Sequence, residues 1–278
     1  MIELMQLLGI QMSLASIVSL AAIVFFGLPH GAFDGAVALS LGFGKTPLLM
    51  LAFVLLYLAI AVSVVFFWLS FPEISLISFL IFSAFHFGMG DSQALDKTNR
   101  AKQILTHGGL VVVGISVFHH DETNVIFSYL TDGQTFLVWQ FIEICKFILF
   151  PVILLYLIES FRRPVLRIRF FELILLGVIF YFLPPLVGFS IYFCGIHSIR
   201  HINYTWLKLR SKKYTIQTII YLAITFTITS WLLGVLLFWQ LPTADFADAA
   251  LLKTVFIGLA ALTVPHMLLI DGIFRQSD

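Results

Sequence analysis

Six of the eight histidines lie inside apolar stretches of the chain, where an ionisable side chain is costly and usually serves a function. Four of them belong to short motifs: PHGAFD contains His30, FHFGMGD contains His86, and CGIHSIRH contains His197 and His201. His197 and His201 are four residues apart, about 40° around an α-helix, so both imidazoles can face one ion. Neutral imidazoles suit iron, copper, zinc or nickel. We therefore predict one metal site from these four residues.

Carboxylates and a further histidine accompany these motifs. Asp34 follows His30 by four residues and could accept the second N–H of that ring, as carboxylates beside metal-bound histidines commonly do. Asp91 is either a similar partner of a neighbouring histidine or an interfacial residue at a helix end. His266, in a PHM motif, is a fifth ligand, a partner of a ligand or a packing residue. His107 is predicted to be a core histidine, and the HHDETN segment that begins at residue 119 a polar connection.

The elements that carry these residues are predicted from composition. The chain has 278 residues, 60% hydrophobic and only 11% charged, whereas soluble domains carry about 25% charged residues. A soluble enzyme is thereby excluded. Runs of about 20 apolar residues suffice to cross a bilayer. Such runs occupy 8–29, 47–71, 74–90, 104–118, 136–158, 216–239 and 254–274.

A longer apolar run is interrupted by Pro184 and Pro185. Adjacent prolines lack amide donors and clash with the preceding turn, so a helix cannot continue through them. We predict two short helices, 170–183 and 186–202. The fold class is then an all-α polytopic membrane bundle of eight or nine helical passages, forming a single transmembrane catalytic domain over residues 1–278.

The positions of the basic residues predict the orientation. Most lysines and arginines fall in alternate loops, and the positive-inside rule places those loops in the cytoplasm. The N-terminus is then outside and the C-terminus cytoplasmic, and all six histidines of the apolar segments fall in the cytoplasmic half of a cell (inner) membrane. The first apolar segment has no basic residues before it and is expected to be retained. A net charge of +1 and the lack of a basic face argue against nucleic-acid binding.

Taken in order, the four histidine motifs resemble the Brp/Blh family of membrane β-carotene 15,15'-dioxygenases over nearly the whole chain. The resemblance implies a non-haem Fe(II) enzyme that uses O2 to cleave β-carotene into two molecules of all-trans-retinal. It assigns His30, His86, His197 and His201 to iron and leaves the role of His266 less certain.

The resemblance also implies partners for the reaction. The carotenoid would enter from the lipid, and a microbial rhodopsin could accept the retinal. Tyr192, Asn203 and Tyr204 flank the HxxxH helix, and one of them is expected to line the cavity near the cleaved bond.

Three other functions remain open at this point. A histidine- and aspartate-lined transporter or proton relay would place the same residues in the membrane. A membrane di-iron desaturase or hydroxylase would need about eight ligand histidines in several boxes, of which only HSIRH is present. A helical haem protein could use histidines on opposed helices as axial ligands.

Overall fold

The computed structural model describes residues 12–92, 97–210, 214–240 and 247–276, and every regular element in these ranges is helical. The α-helices are α1 (Leu14–Ala22), α2 (Asp34–Ser40), α3 (Pro47–Ser70), α4 (Pro72–Asp91), α5 (Lys97–Gly109), α6 (Ile115–Phe118), α7 (His120–Leu130), α8 (Phe136–Arg162), α9 (Pro164–Phe182), α10 (Pro185–Tyr192), α11 (Ile199–Arg210), α12 (Ile216–Gln240) and α13 (Ala247–Ile270). The π-helical segments are Ile23–Gly27, Leu110–Gly114 and Phe193–Ser198, and the 3₁₀ segments are Leu28–Phe33, Phe43–Lys45 and Phe274–Gln276.

The predicted all-α membrane fold is confirmed. In the described ranges, seven helical stretches are long and apolar enough to cross a bilayer: Leu14–Ser40, Pro47–Ser70, Pro72–Asp91, Asn99–Phe118, Phe136–Arg162, Ile216–Gln240 and Ala247–Ile270. Each overlaps one apolar run predicted from the sequence, although the part of the first run before residue 12 lies outside the described residues. The number of crossings and the orientation stay predictions.

The outer surfaces of these helices are apolar. On α8, the rings of Phe147 and Phe150 are 74% and 73% exposed, and Ile148 beside them is also exposed. A protein that exposes large apolar side chains in this way would aggregate in water, whereas the same side chains are stable in contact with lipid tails.

The predicted break at the paired prolines is also confirmed. Helix α9 ends at Phe182, and Leu183 is extended, with φ −107° and ψ 141°. A residue before proline is forced out of the helical region by the proline ring, which explains this conformation. Helix α9 begins at Pro164, six residues before the predicted start. After the prolines, α10 ends at Tyr192, and the helical course continues through the π-helical segment Phe193–Ser198 and α11 to Arg210, beyond the predicted end at residue 202.

The HHDETN segment was expected to be a polar connection, and this expectation is wrong from residue 120 onward. Helix α7 begins there and buries Thr123, Phe127 and Leu130 at helical spacing. His119 precedes the helix, and its Nε2 lies 2.9 Å from the carbonyl oxygen of Phe180. The ring of His120 is exposed and packs against Trp139.

The chain forms two compact units, residues 1–70 with 193–278 and residues 71–192. In the first unit, a buried apolar cluster joins α2, α3, α11, α12, α13 and the C-terminal 3₁₀ segment. In the second unit, α4 and α5 approach so closely that a Cβ on Gly88 or Gly108 would overlap the carbonyl of Ile104 or Ala84. The single domain over residues 1–278 stays a prediction.

Candidate functional site

Two of the four histidine motifs lie where the helical geometry departs from the α-helix, whereas His86 and His266 lie within the regular helices α4 and α13. The π-helical segment Phe193–Ser198 contains His197, and the segment Ile23–Gly27 precedes the 3₁₀ segment that carries the PHG motif. The segment Leu110–Gly114 begins three residues after His107. π-Helical segments inside α-helices occur frequently at functional sites. Irregular helical geometry therefore occurs at or near His197, the PHG motif and His107, which the sequence analysis had singled out.

Three histidines of the first unit form a buried cluster. His197, His201 and His266 are 1%, 4% and 2% exposed. The rings of His197 and His201 are nearly parallel, with centroids 6.4 Å apart, and the ring of His266 meets His201 edge-on at 4.9 Å. Thr205, one turn after His201, places its hydroxyl 3.3 Å from His201 Nε2. The HxxxH pair and the C-terminal PHM histidine thus meet, although 65 positions separate residues 201 and 266 in the chain.

Asp34 anchors the third member of this cluster. Its carboxylate is fully buried, and its two oxygens lie 2.8 and 3.0 Å from His266 Nδ1. A carboxylate only accepts hydrogen bonds, so Nδ1 carries the proton and the lone pair of the neutral ring is on Nε2. This is the tautomer in which His266 can bind a metal through Nε2.

Tyr57 completes the arrangement, and sequence reasoning missed it. Its hydroxyl donates to Asp34 Oδ2 at 2.8 Å. The signal was slight, a phenol within the apolar helix α3, and such a residue is more often a packing or interfacial side chain. Tyr57, Asp34 and His266 come from α3, α2 and α13, so three separate helices build one hydrogen-bonded series.

Asp34 was expected to serve His30, and the structure gives it His266 and Tyr57 as partners. The expectation assumed a continuous α-helix, but residues Leu28–Phe33 form a 3₁₀ helix. With three residues per turn, positions four apart diverge by about 120° instead of about 40°. The side chain of His30 lies outside what the structure describes. Its neighbour Gly31 is close to the cluster, because a Cβ there would lie 3.6 Å from His266 Nδ1.

The second unit contains the remaining motif residues. His86 on α4 is buried, and Asp91 at the end of the same helix is 1% exposed. Asp91 is thus enclosed by protein at the end of α4, and its carboxylate accepts a hydrogen bond of 2.8 Å from the Tyr192 hydroxyl. Its depth in the membrane stays a prediction. The Tyr192 ring is held edge-on against Phe87 and Phe180.

Two further predicted residues have simple environments. His107 is fully buried in the second unit and packs near the ring of Tyr156, as expected of a core histidine. Tyr204, in the first unit, is 38% exposed and contacts Phe274, Lys208 and Arg275. It thus belongs to a cationic and aromatic cluster at the surface.

The donor set of the first unit fits a metal such as iron in its chemistry. Its imidazoles are buried and near one another, and one is oriented by a carboxylate as metal-binding histidines usually are. Among the described side chains, no three His, Cys, Asp or Glu residues are arranged to hold an ion. A site that includes His30 stays a prediction, since its side chain is outside this set.

Comparison with known proteins agrees with the motifs. The family model for beta-carotene 15,15'-dioxygenase matches residues 21–274. The chain belongs to this family. A beta-carotene 15,15'-dioxygenase from the uncultured marine bacterium 66A03 is 41% identical over 261 residues, covering 92% of this chain and 93% of the relative. A probable beta-carotene 15,15'-dioxygenase Blh from Halobacterium salinarum is 23% identical over 291 residues, covering 92% and 83%. No solved structure matches significantly.

Membership of the β-carotene 15,15'-dioxygenase family confirms the resemblance inferred from the four motifs. It also confirms that the protein is an enzyme, and so disfavours the transporter and proton-relay alternative. The matched region contains all six histidines of the apolar segments and also Asp34, Tyr57 and Asp91.

Proposed function

We propose that the protein cleaves β-carotene at its central 15,15' double bond with O2 and releases two molecules of all-trans-retinal. One carbon–carbon double bond is broken, and each of its carbons gains one atom of the O2 molecule as an aldehyde oxygen. The buried contact of His201 with His266, held by Asp34, in a chain of the dioxygenase family is the observation that carries this proposal.

We propose that His30, His86, His197 and His201 hold one Fe(II). All four come from motifs that predicted the family, and the three whose side chains the structure describes are buried, at 4% exposure or less. Such ligands bring no negative charge into the membrane. When bound, Fe(II) would supply the activation of O2 toward the polyene.

Around these ligands, the chain's own task is to hold the donors in place and to exclude water. Asp34 holds the proton on His266 Nδ1, and Tyr57 holds Asp34 by a second hydrogen bond. His266 can then present Nε2 as a further ligand. Asp91 and Tyr192 form a matching buried pair at the end of α4, five residues after His86, and we propose that they fix this end of the helix.

The surroundings of the reaction follow from the fold. β-Carotene is a hydrocarbon that dissolves in lipid, so entry from the bilayer is the natural route. We propose a multi-pass location in the cell inner membrane, and a microbial rhodopsin as one acceptor of the retinal. The membrane location is supported by the seven helical stretches of the described ranges that are long and apolar enough to cross a bilayer.

A colour assay tests the proposed activity. Expression in bacteria that make β-carotene should bleach the yellow pigment and produce retinal, measured by chromatography. The His201→Ala variant should leave the pigment unchanged and should lose iron from the purified protein. The His120→Ala variant, at an exposed histidine, should behave as the native protein does. Unchanged pigment with native protein present and folded in the membrane would contradict the proposal.

A further inference from the structure

The first unit contains a large apolar cavity that the sequence motifs did not indicate. Its volume is about 590 Å³, within the range of about 300–1,000 Å³ typical of small-molecule sites. It lies among α3, α12, α13 and the π-helical segment before the PHG motif. Phe25, Phe66 and Val235 on its walls are exposed at the protein surface, so the cavity is accessible from the side that faces lipid.

The residues that line this cavity are almost all apolar. Only three of the residues that line it have polar side chains, and each of these donates to a backbone carbonyl. Ser230 donates to Phe226 at 2.9 Å, Trp231 to Val24 at 3.0 Å and Thr254 to Ala250 at 2.7 Å. A ligand in this cavity therefore gains from buried apolar surface and not from hydrogen bonds.

The cavity lies next to the histidine cluster. A second, smaller space of about 30 Å³ shares Leu28, Ser230 and Leu262 with it as lining residues. The smaller space is also lined by His266 and Tyr57. The large cavity therefore borders the space that the His266 ring lines.

We propose that this cavity binds one arm of the polyene substrate, a terminal ring with its adjoining isoprenoid chain, and so places the central bond beside His266. The proposal rests on the proposed function, because the occupant is the carotenoid named there. A lipid acyl chain is the competing occupant. It would fill an apolar space wherever that space lay, whereas the polyene must reach the histidine cluster to be cleaved.

Two glycines are positions from which a side chain can extend into the cavity. Gly258 on α13 and Gly234 on α12 both line it, and a Cβ at either position would meet no other atom within 4 Å. Gly177 on α9 is equally open but does not line the cavity, so it is a matched control. The variants are Gly258→Phe, Gly234→Phe and Gly177→Phe.

Binding is measured apart from turnover. Protein in detergent, kept free of iron and oxygen, is loaded with β-carotene and washed on an affinity resin, and retained pigment is counted per mole of protein. We expect the Gly258→Phe and Gly234→Phe variants to retain at least fivefold less pigment than the native protein, while the Gly177→Phe variant retains the native amount. Equal retention by all four proteins, which a lipid occupant predicts, would overturn the proposal.

Turnover and folding complete the test. In membranes with iron restored, each cavity variant should lose at least tenfold in kcat/KM for β-carotene with unchanged iron content. Thermal unfolding identifies a variant that has lost its fold. If one cavity variant is unfolded, the binding and turnover of the other cavity variant test the proposal. If the native protein retains β-carotene in the cavity but releases no retinal, the proposed function fails while the binding site stands. If it cleaves β-carotene and both folded cavity variants cleave it equally well, the binding site fails alone.

Discussion

Removing one oxygen atom from Tyr57 is the sharpest test of how the histidine cluster is held. The Tyr57→Phe variant keeps the ring and deletes the hydroxyl that donates to Asp34 at 2.8 Å. A hydrogen bond to a charged group contributes about 1.5–3 kcal/mol. At about 1.4 kcal/mol for each factor of ten, this corresponds to a loss of roughly 10- to 100-fold. The same range, about 10- to 100-fold, is typical when the partner of a metal-bound histidine is removed.

The assay measures iron directly. Purified protein is titrated with a chelator, and the metal retained is measured by mass spectrometry alongside kcat and KM for β-carotene. We expect the Tyr57→Phe variant to lose iron at roughly 10- to 100-fold lower chelator activity, with kcat falling more than KM rises. The Tyr221→Phe variant, whose ring is 71% exposed on α12, should match the native protein.

A second variant shows whether the carboxylate acts through the His266 tautomer. In the Asp34→Asn variant, an amide can donate to Nδ1 and so move the proton to Nε2. We expect a larger loss than for the Tyr57→Phe variant, because Nε2 is then no longer a ligand atom. If both variants retain iron and turn over like the native protein, the series from Tyr57 to His266 has no part in the site.

Three further predictions concern the fold that supports the site. The Gly108→Ala variant should lose about 1–3 kcal/mol in free energy of unfolding, seen as a lower unfolding temperature, because its Cβ would overlap the carbonyl of Ala84. An unfolding temperature equal to that of the native protein would refute the close approach of α4 and α5. The Tyr192→Phe variant removes the hydrogen bond to buried Asp91 and should lose about 1.5–3 kcal/mol in the same measurement, and an unchanged unfolding temperature would show that the pair is dispensable. Cysteines introduced by Arg162→Cys and Tyr214→Cys should react with an impermeant reagent from the same side of the membrane; labelling from opposite sides would refute the predicted double passage at the paired prolines.

The helical fold was predictable because its causes are local. Runs of apolar residues must satisfy every backbone hydrogen bond inside the segment when lipid is the solvent, so each run predicts a helix. The break between α9 and α10 was predictable for the same reason, since the ring of Pro184 acts on the residue just before it. The α7 helix was missed, because its apolar spacing is confined to a few residues among polar ones.

The candidate site was predictable only in part. The histidines were visible as costly residues in apolar segments, and their motifs indicated the family. The partner of Asp34 was not visible, because His266 lies 232 positions away and no spacing rule connects such residues. The cavity was also hidden, since its walls are ordinary apolar residues whose sequence pattern is that of any membrane helix.

Composition and local pattern thus specify the solvent, the helices, the proline break and the kinds of donor atoms, because each depends on residues within a few turns of one another. Packing of distant helices assigns the partners. This packing brings α13 next to α2 and α3, so that Asp34 forms hydrogen bonds with both His266 and Tyr57. It also sets the π and 3₁₀ segments that turn the motifs away from ideal α-helical geometry. These features follow from which side chains meet in three dimensions, and a linear spacing contains no information about that.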